Sequence, residues 1–339
     1  MNTLNKKRWF SIIIAIALLG FSLITNTIIP NEIEEAESLL DSSLFANMDG
    51  FEEVIIEDGN LDDKIAVFEL NGVIQDVDDT GSMFSDVGYN HKVFLDMLDY
   101  AKNDASVKGI ILKVNSPGGG VYESAQIHKK LLEIKNEAKI PVYVSMGSMA
   151  ASGGYYISAP ADKIFASPET ITGSLGVIMQ SLNVTGLAKK YGVTYDTIKS
   201  GQYKDIMNPV REMTKEERDI LQSMVQNSYN NFVDVIAEGR GLDKTEVRKI
   251  ADGRIYDGIQ AEKLNLVDKL GYEEDAIKDM RKKYKLSDAQ VIKYETPFSF
   301  SSFFQTKLKT MFTNDDELTL LNSLLKKSNS PTMMYLYTK

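Results

Sequence analysis

Between residues 64 and 200, short runs of β-branched and apolar residues alternate with amphipathic or glycine-rich stretches, and this alternation restricts the fold more than any other feature. The runs are KIAVFELNGVI at 64–74, VKGIILKVNS at 107–116, PVYVSM at 141–146, DKIFAS at 162–167, ITGSLGVI at 171–178 and VTYDTIKS at 193–200. Strands that are apolar at nearly every position are buried on both faces, the usual condition of a parallel sheet covered by helices. SAQIHKKLLEIKNEA at 124–138 reads as an amphipathic helix, KEERDILQSMVQNSYNNFVDVIAEGR at 215–240 as a long one, and a further helix is predicted to begin near Ser152. The pattern predicts an α/β domain with a mostly parallel sheet, and no repeat of 20 to 50 residues is evident.

The ends of the chain differ from this middle. Lys6, Lys7 and Arg8 precede WFSIIIAIALLGFSLITNTII at 9–29, a run without charge that is about long enough to cross a bilayer core. The basic cluster is expected to stay in the cytoplasm, which puts the bulk of the chain on the extracytoplasmic side. A cleaved secretory signal is the alternative, although TNTIIP is a poor match to a small-residue cleavage site. The expected division is therefore a cytoplasmic stub and anchor at 1–30, an acidic linker at 31–63, the main domain at 64–295 and a tail at 296–339. The tail contains FSFSSFFQTKLKTMF and ends in MMYLYTK, and it reads as an interaction arm or a mobile segment.

Composition removes several function classes. A net charge of −10 argues against nucleic acid as a partner, because phosphate binding needs clustered Lys and Arg. There is no cysteine, hence no disulfide, thiolate metal site or cysteine nucleophile. The two histidines, His91 and His128, form no H-E-x-x-H pair, so neither a metal nor another cofactor is expected.

What remains is hydroxyl chemistry. In MAASGGYY at 149–156, Ser152 stands at the predicted strand-to-helix turn, between residues that have almost no side chain. Helix N-terminal amides favour developing negative charge, and Gly153 leaves its amide unshielded as an oxyanion donor. NSPGGG at 115–120 follows another strand. Taken alone it is an ordinary tight turn; with the Ser152 turn beside it, Gly119 becomes a second oxyanion donor.

A serine nucleophile needs a base. His128 lies among lysines on an amphipathic helix and reads as a solvated surface residue. The G-x-S-x-G elbow of α/β-hydrolases is absent because position 150 is alanine. Lysine can serve if it is kept neutral, whereas in water only about one in a few thousand lysines is deprotonated at pH 7. TIKSGQYKD offers Lys199 and Lys204.

NSPGGG, SMAASGGYYIS, ITGSLGVI and IKSGQYKD, in this order, resemble the signal peptide peptidase A family of serine proteases, in its short bacterial type with one N-terminal anchor. The resemblance covers roughly 64–271, and DGRIYDGIQAEKLNLVDKLG at 252–271 is similar to the closing segment of that family and of the wider Clp-protease and crotonase group. It implies a Clp-protease/crotonase-like fold of repeated ββα units and a Ser/Lys dyad. Ser152 would be the nucleophile, Lys204 the general base with Lys199 as its rival, Ser174 the hydroxyl that orients the lysine, and Gly119 and Gly153 the oxyanion donors. It further implies peptide substrates, in particular remnants of cleaved signal peptides. Homo-oligomers of ring or dome shape are also implied, in which neighbouring subunits can complete the active site, with the serine and lysine in one chain for the short type.

MMYLYTK at 333–339 is apolar and terminal, so self-binding of this tail in the enzyme's own groove, or its trimming, is a further expectation. Three other readings share the motifs: a related peptidase that trims membrane-scaffold proteins, a crotonase-like acyl-CoA enzyme on the same sheet, and an inactive membrane scaffold. Coenzyme A binding and labelling of Ser152 by a serine-reactive probe separate the last two.

Overall fold

The computed structural model describes residues 51–76, 89–295 and 333–337. The expected membrane anchor at 9–29 lies outside the described residues, and among those residues no helix is long and apolar enough to cross a membrane.

The strands predicted from apolar runs form the centre of a nine-stranded sheet. Strands β1 (Glu52–Glu57), β2 (Asn60–Asn71), β3 (Val107–Ser116), β5 (Val142–Ala151), β6 (Lys163–Ala166), β10 (Lys269–Leu270) and β11 (Ala289–Glu295) are ordered β1-β11-β2-β3-β5-β6-β10. Every pairing along this path is parallel except β1 with β11. Strand β7 (Ile171–Gly173) extends the far end of β5 in parallel, and β9 (Ile255–Tyr256) pairs with it antiparallel.

Both faces of the sheet are covered, as the apolar strands require. Ile65, Val67, Ile111, Tyr143 and Val291 pack with Ile277 and Met280 of a C-terminal helix at Glu273–Tyr284. Gly109 permits this: a side chain there would occupy the position of the Met280 sulfur. On the other face Phe68 meets Phe94 edge to face, 6.3 Å between centroids, and Phe94 belongs to helix α1 (His91–Asn103).

Helix α2 (Val121–Glu133) starts three residues before the expected position and ends in a π-turn at Ile134–Ala138, closed by Lys139 in the left-handed region. The long helix spans Lys215–Arg240 as the pattern predicts. Thr214 and Glu217 make a reciprocal capping box at its start, and Gly241 ends it with φ 64°. Such a cap is worth about 1 kcal/mol.

Two expectations change. Residues 193–200 form no strand; the stretch is exposed, because its apolar side chains have no sheet edge to join. The stretch read as an acidic linker, 31–63, contains β1 and the start of β2. Its EEVIIE pattern lacks a clear period because β1 is an edge strand with most of its residues exposed.

A second, smaller sheet is built from distant segments. Its strands are β4 (Gly118–Gly120), β8 (Ile178–Met179) and β12 (Met333–Leu336), ordered β4-β12-β8 and antiparallel throughout.

Candidate active site

Ser152 stands between β5 and a six-residue helix, Gly153–Ser158. Its backbone has φ 54° and ψ −114°, a conformation that costs a non-glycine residue on the order of 1–3 kcal/mol. The turn is held on both sides. The Ser152 amide donates to the Gly173 carbonyl at 2.8 Å, and the Ser152 carbonyl accepts from the Tyr156 amide at 2.9 Å. Ser152 is only 1% exposed.

The small neighbours of Ser152 are explained by close backbone approach. A side chain at Gly154 would meet the Ser116 carbonyl at 2.9 Å. One at Gly153 would meet the Ser124 hydroxyl at 2.7 Å and the Gly119 amide nitrogen at 3.0 Å. The NSPGGG turn and the Ser152 turn therefore converge, and the amides of Gly119 and Gly153 lie on one patch of backbone. Gly118, at φ 100°, completes it; a side chain there would collide with the Gly153 amide nitrogen and with the Tyr335 carbonyl oxygen.

Neighbouring groups hold this patch still. The Gly118 amide donates to the Ser116 hydroxyl at 3.0 Å. Ile74 brackets the turn: its amide donates to the Gly118 carbonyl at 2.9 Å and its carbonyl accepts from the Gly120 amide at 2.7 Å. The Asn115 side-chain oxygen accepts from the Met149 amide at 3.2 Å and the Ser148 hydroxyl at 2.9 Å, which ties the two turns together.

Strand β12 runs along the open side of the Gly118–Gly120 turn, with Tyr335 opposite Gly119. The Tyr335 ring is 1% exposed. It stacks on Tyr156, centroids 4.9 Å apart, lies 4.7 Å from the Phe232 ring, and donates its hydroxyl to the Ser228 carbonyl at 3.1 Å. Sequence pattern pointed to neither Tyr156 nor Phe232 as part of this site. Tyr156 was visible only as one of two tyrosines after the glycine pair, with nothing to say which ring turned toward the groove.

Ser174 is half-buried, directly after Gly173, with φ 49° and its amide donating to the Arg254 carbonyl at 2.7 Å. It lines a groove of about 580 Å³ that continues past Leu336 and Tyr337 between the 174–178 segment and the long helix. Gln222 and Tyr229 stand on the helix side, and Arg248 and Asp252 complete the lining.

The lysines are placed differently. Lys204 is exposed on a run of turns and has no ion pair among the described residues. Lys199 is engaged, donating to Asp205 Oδ1 at 2.6 Å and to the Gln202 carbonyl at 2.9 Å. The segment that leads to them, with Leu187, Tyr191, Tyr195, Ile198 and Tyr203, exposes its large apolar side chains. The structure thus brings Ser152, Gly119 and Gly153 together, connects Ser174 to them through Gly173, and leaves Lys204 in solvent.

Neither histidine bonds to Ser152 among the described residues. His91 is buried between the Tyr89 hydroxyl and the Gln126 amide oxygen. His128 is not the solvated residue its lysine neighbours imply: its ring packs 5.3 Å from that of Tyr156. Burial, with the Lys135 charge adding to it, lowers the His128 pKa to about 4, so the ring is neutral at pH 7.

Residues 134–287 match the model of peptidase family S49, a span that contains Ser152, Ser174 and Lys204. The chain is 42% identical over 343 residues to "Putative signal peptide peptidase SppA" of Enterococcus faecium, covering 98% of this chain and 99% of that protein. It is 41% identical over 233 residues to "Putative protease MJ0651" of Methanocaldococcus jannaschii, 68% of this chain and 74% of that protein. Similarity to "Protease 4" of Haemophilus influenzae is 35% over 222 residues, 66% of this chain and 35% of that longer protein.

Proposed function

The chain belongs to peptidase family S49, a family of serine peptidases, and from that premise we propose that it cuts extended apolar peptides with a Ser152–Lys204 dyad. One observation carries the reading. Strand β12 lies antiparallel on Gly118–Gly120, with the Tyr335 carbonyl oxygen and the Gly153 amide crowding the same point over Gly118. A peptide bound in that manner presents its backbone carbonyl to the Gly119 and Gly153 amides, beside the Ser152 turn.

In this mechanism Lys204 takes the Ser152 proton as Oγ attacks the peptide carbonyl carbon, with Ser174 orienting the lysine amine. The amides of Gly119 and Gly153 stabilise the tetrahedral oxyanion. The lysine ammonium gives its proton to the leaving amine, and a water then repeats the sequence on the acyl-enzyme. The strained Ser152 backbone supports the role of nucleophile, because strain of this size persists where surrounding structure over-determines it, as at reacting residues.

An amine in water is nearly always protonated, so this mechanism requires Lys204 to be covered. The apolar arm that carries it supports a second copy of the chain as the cover, in a homo-oligomer whose sites are completed by contact between subunits. The segment ordering β3–β4–α2, with a large-sheet strand, a small-sheet strand and a helix, recurs as β7–β8 and a helix at Thr185–Lys190. That recurrence supports the Clp-protease/crotonase-like ββα repeat.

The uncharged run at 9–29 supports a membrane anchor with the peptidase domain on the extracytoplasmic face, where remnants of cleaved signal peptides are the substrates at hand. The Tyr335 contacts support the tail as an occupant of the peptide groove in the absence of substrate.

The deciding experiment is hydrolysis of a synthetic signal peptide by the full chain in detergent, compared with Ser152→Ala and Lys204→Ala. Both substitutions are expected to abolish cleavage across the pH range. Substantial cleavage by either variant removes the dyad.

A further inference from the structure

The candidate base has an awkward neighbour. Asp205 follows Lys204 directly, and a carboxylate within reach of a lysine amine favours the ammonium, the wrong protonation state for a base. Nothing in the sequence says where that carboxylate points.

In the structure the Asp205 carboxylate is fully engaged elsewhere. Oδ1 accepts from Lys199 Nζ at 2.6 Å and from Arg211 Nη2 at 2.9 Å, and Oδ2 accepts from Arg211 Nε at 2.9 Å. The Asp205 backbone carbonyl also accepts from Arg211 Nη2, at 2.9 Å. Arg211 turns its other edge to Glu217, where Nη1 donates at 2.8 Å to a carboxylate that is only 2% exposed. Glu217 in turn accepts from the Thr214 amide at 2.9 Å and closes the cap of the long helix.

Two cations and two anions therefore cancel, and the loop is bolted to a helix end. Of the other charged groups nearby, Asp196, Glu216 and Arg218 are exposed and form no ion pair among the described residues, while others are engaged. Glu212 accepts from the Asn183 amide at 3.3 Å, and on the long helix Lys215 pairs with Asp219 at 2.6 Å. Lys204 is exposed and has no ionic partner among the described residues.

We propose that Lys199 and Arg211 are positioning residues: they hold the Asp205 carboxylate away from the Lys204 amine, so that the base can give up its proton near neutral pH. The inference rests on the reading of Lys204 as the base. It assigns a role to Lys199, the rival lysine in the sequence, that is neither catalytic nor decorative. It also explains why an Arg in fork geometry stands at 211: one guanidinium satisfies two carboxylates along two edges, which a lysine cannot do.

The test is the pH dependence of kcat/KM for an apolar fluorogenic peptide, measured on the full chain in detergent. The proteins are the unsubstituted chain, Lys199→Met, Lys199→Arg, Asp205→Asn, the Lys199→Met/Asp205→Asn pair and Lys204→Ala. With Lys199→Met, Asp205 loses one of its three side-chain hydrogen bonds and keeps the two from Arg211, so its hold loosens and the acid limb moves to higher pH. Once the limb lies above pH 7, each further unit lowers the rate at pH 7 about tenfold, while KM stays in place. Lys199→Arg restores the acid limb, and the double variant has the limb of Asp205→Asn alone.

Cleavage by Lys204→Ala would show that the dyad reading itself is wrong, whatever Lys199 does. An inactive Lys204→Ala together with an unmoved acid limb in Lys199→Met overturns the positioning role only. That role is equally overturned if the double variant keeps the displaced limb of Lys199→Met, because the effect then does not pass through Asp205. Circular dichroism at pH 7 identifies a variant that has failed to fold, in which case Lys199→Gln and Arg211→Lys replace it in the same comparison.

Discussion

The rings of Tyr335 and Tyr156 lie 4.9 Å apart and 22° from parallel, so the last described strand is fastened to the helix that begins directly after Ser152. The contact spans 179 positions of sequence and fills a pocket that also holds Phe232. A buried aromatic pair is worth about 0.5–1.5 kcal/mol beyond the area it covers, and on the proposed reading of the tail this holds the segment in place of substrate.

Removal of the chain from Ser330 onward is therefore expected to raise kcat/KM for a short apolar peptide severalfold, and Tyr335→Ala to do the same to a smaller extent. Initial rates at substrate concentrations below KM give the answer. Unchanged rates in both variants would mean that the tail does not compete with substrate.

Gly153→Ala tests the convergence of the two turns. The added methyl meets the Ser124 hydroxyl at 2.7 Å and the Gly119 amide at 3.0 Å, where the oxyanion would sit. A drop in kcat of about 10²- to 10³-fold is expected, with KM affected much less. A variant with ordinary kcat would show that the Gly153 amide does not touch the reacting oxygen.

Acid stability reports on the Arg211 network. Hydrogen bonds from Arg211, then from the Thr214 amide, lower the Glu217 pKa from 4.5 to about 2. A carboxylate depressed in this way contributes stability that is complete above its unfolded pKa and is lost as pH falls toward the folded one. Thermal unfolding between about pH 4.5 and pH 2 should therefore fall more steeply for the unsubstituted chain than for Glu217→Gln. Parallel slopes would exclude Glu217 as a source of the acid sensitivity.

The exposed arm is expected to be an interface. Leu187→Asp with Ile198→Asp places two charges on it at exposed sites. Sedimentation should show a smaller species, and cleavage should be lost with it, because Lys204 is then left in water. Retention of activity by a monomer would refute the need for a second copy.

Much of the large sheet is legible in the sequence. KIAVFEL, GIILKV and VYVSM are apolar at nearly every position because each is buried on both faces, and the helix at Lys215–Arg240 is bounded by a capping box and a glycine that can be read directly. The glycine turns are legible for a similar reason, since φ near 100° at Gly118 is a demand that only one residue type meets without strain. Ser152 at a strand-to-helix junction belongs to the same class of local signal.

What the tertiary structure decided is which distant segments meet. Residues 193–200 have the composition of a strand and form none, whereas MMYL forms one because the edge of Gly118–Gly120 lies open to it. The burial of Tyr335 against Phe232, the packing of His128 on Tyr156 and the capture of Asp205 by Arg211 are likewise invisible in periodicity. Local pattern records how often a face is buried; it does not record the partner. A pairing between residues far apart in the chain depends on sheet order and register, and these are set by the packing of the whole domain.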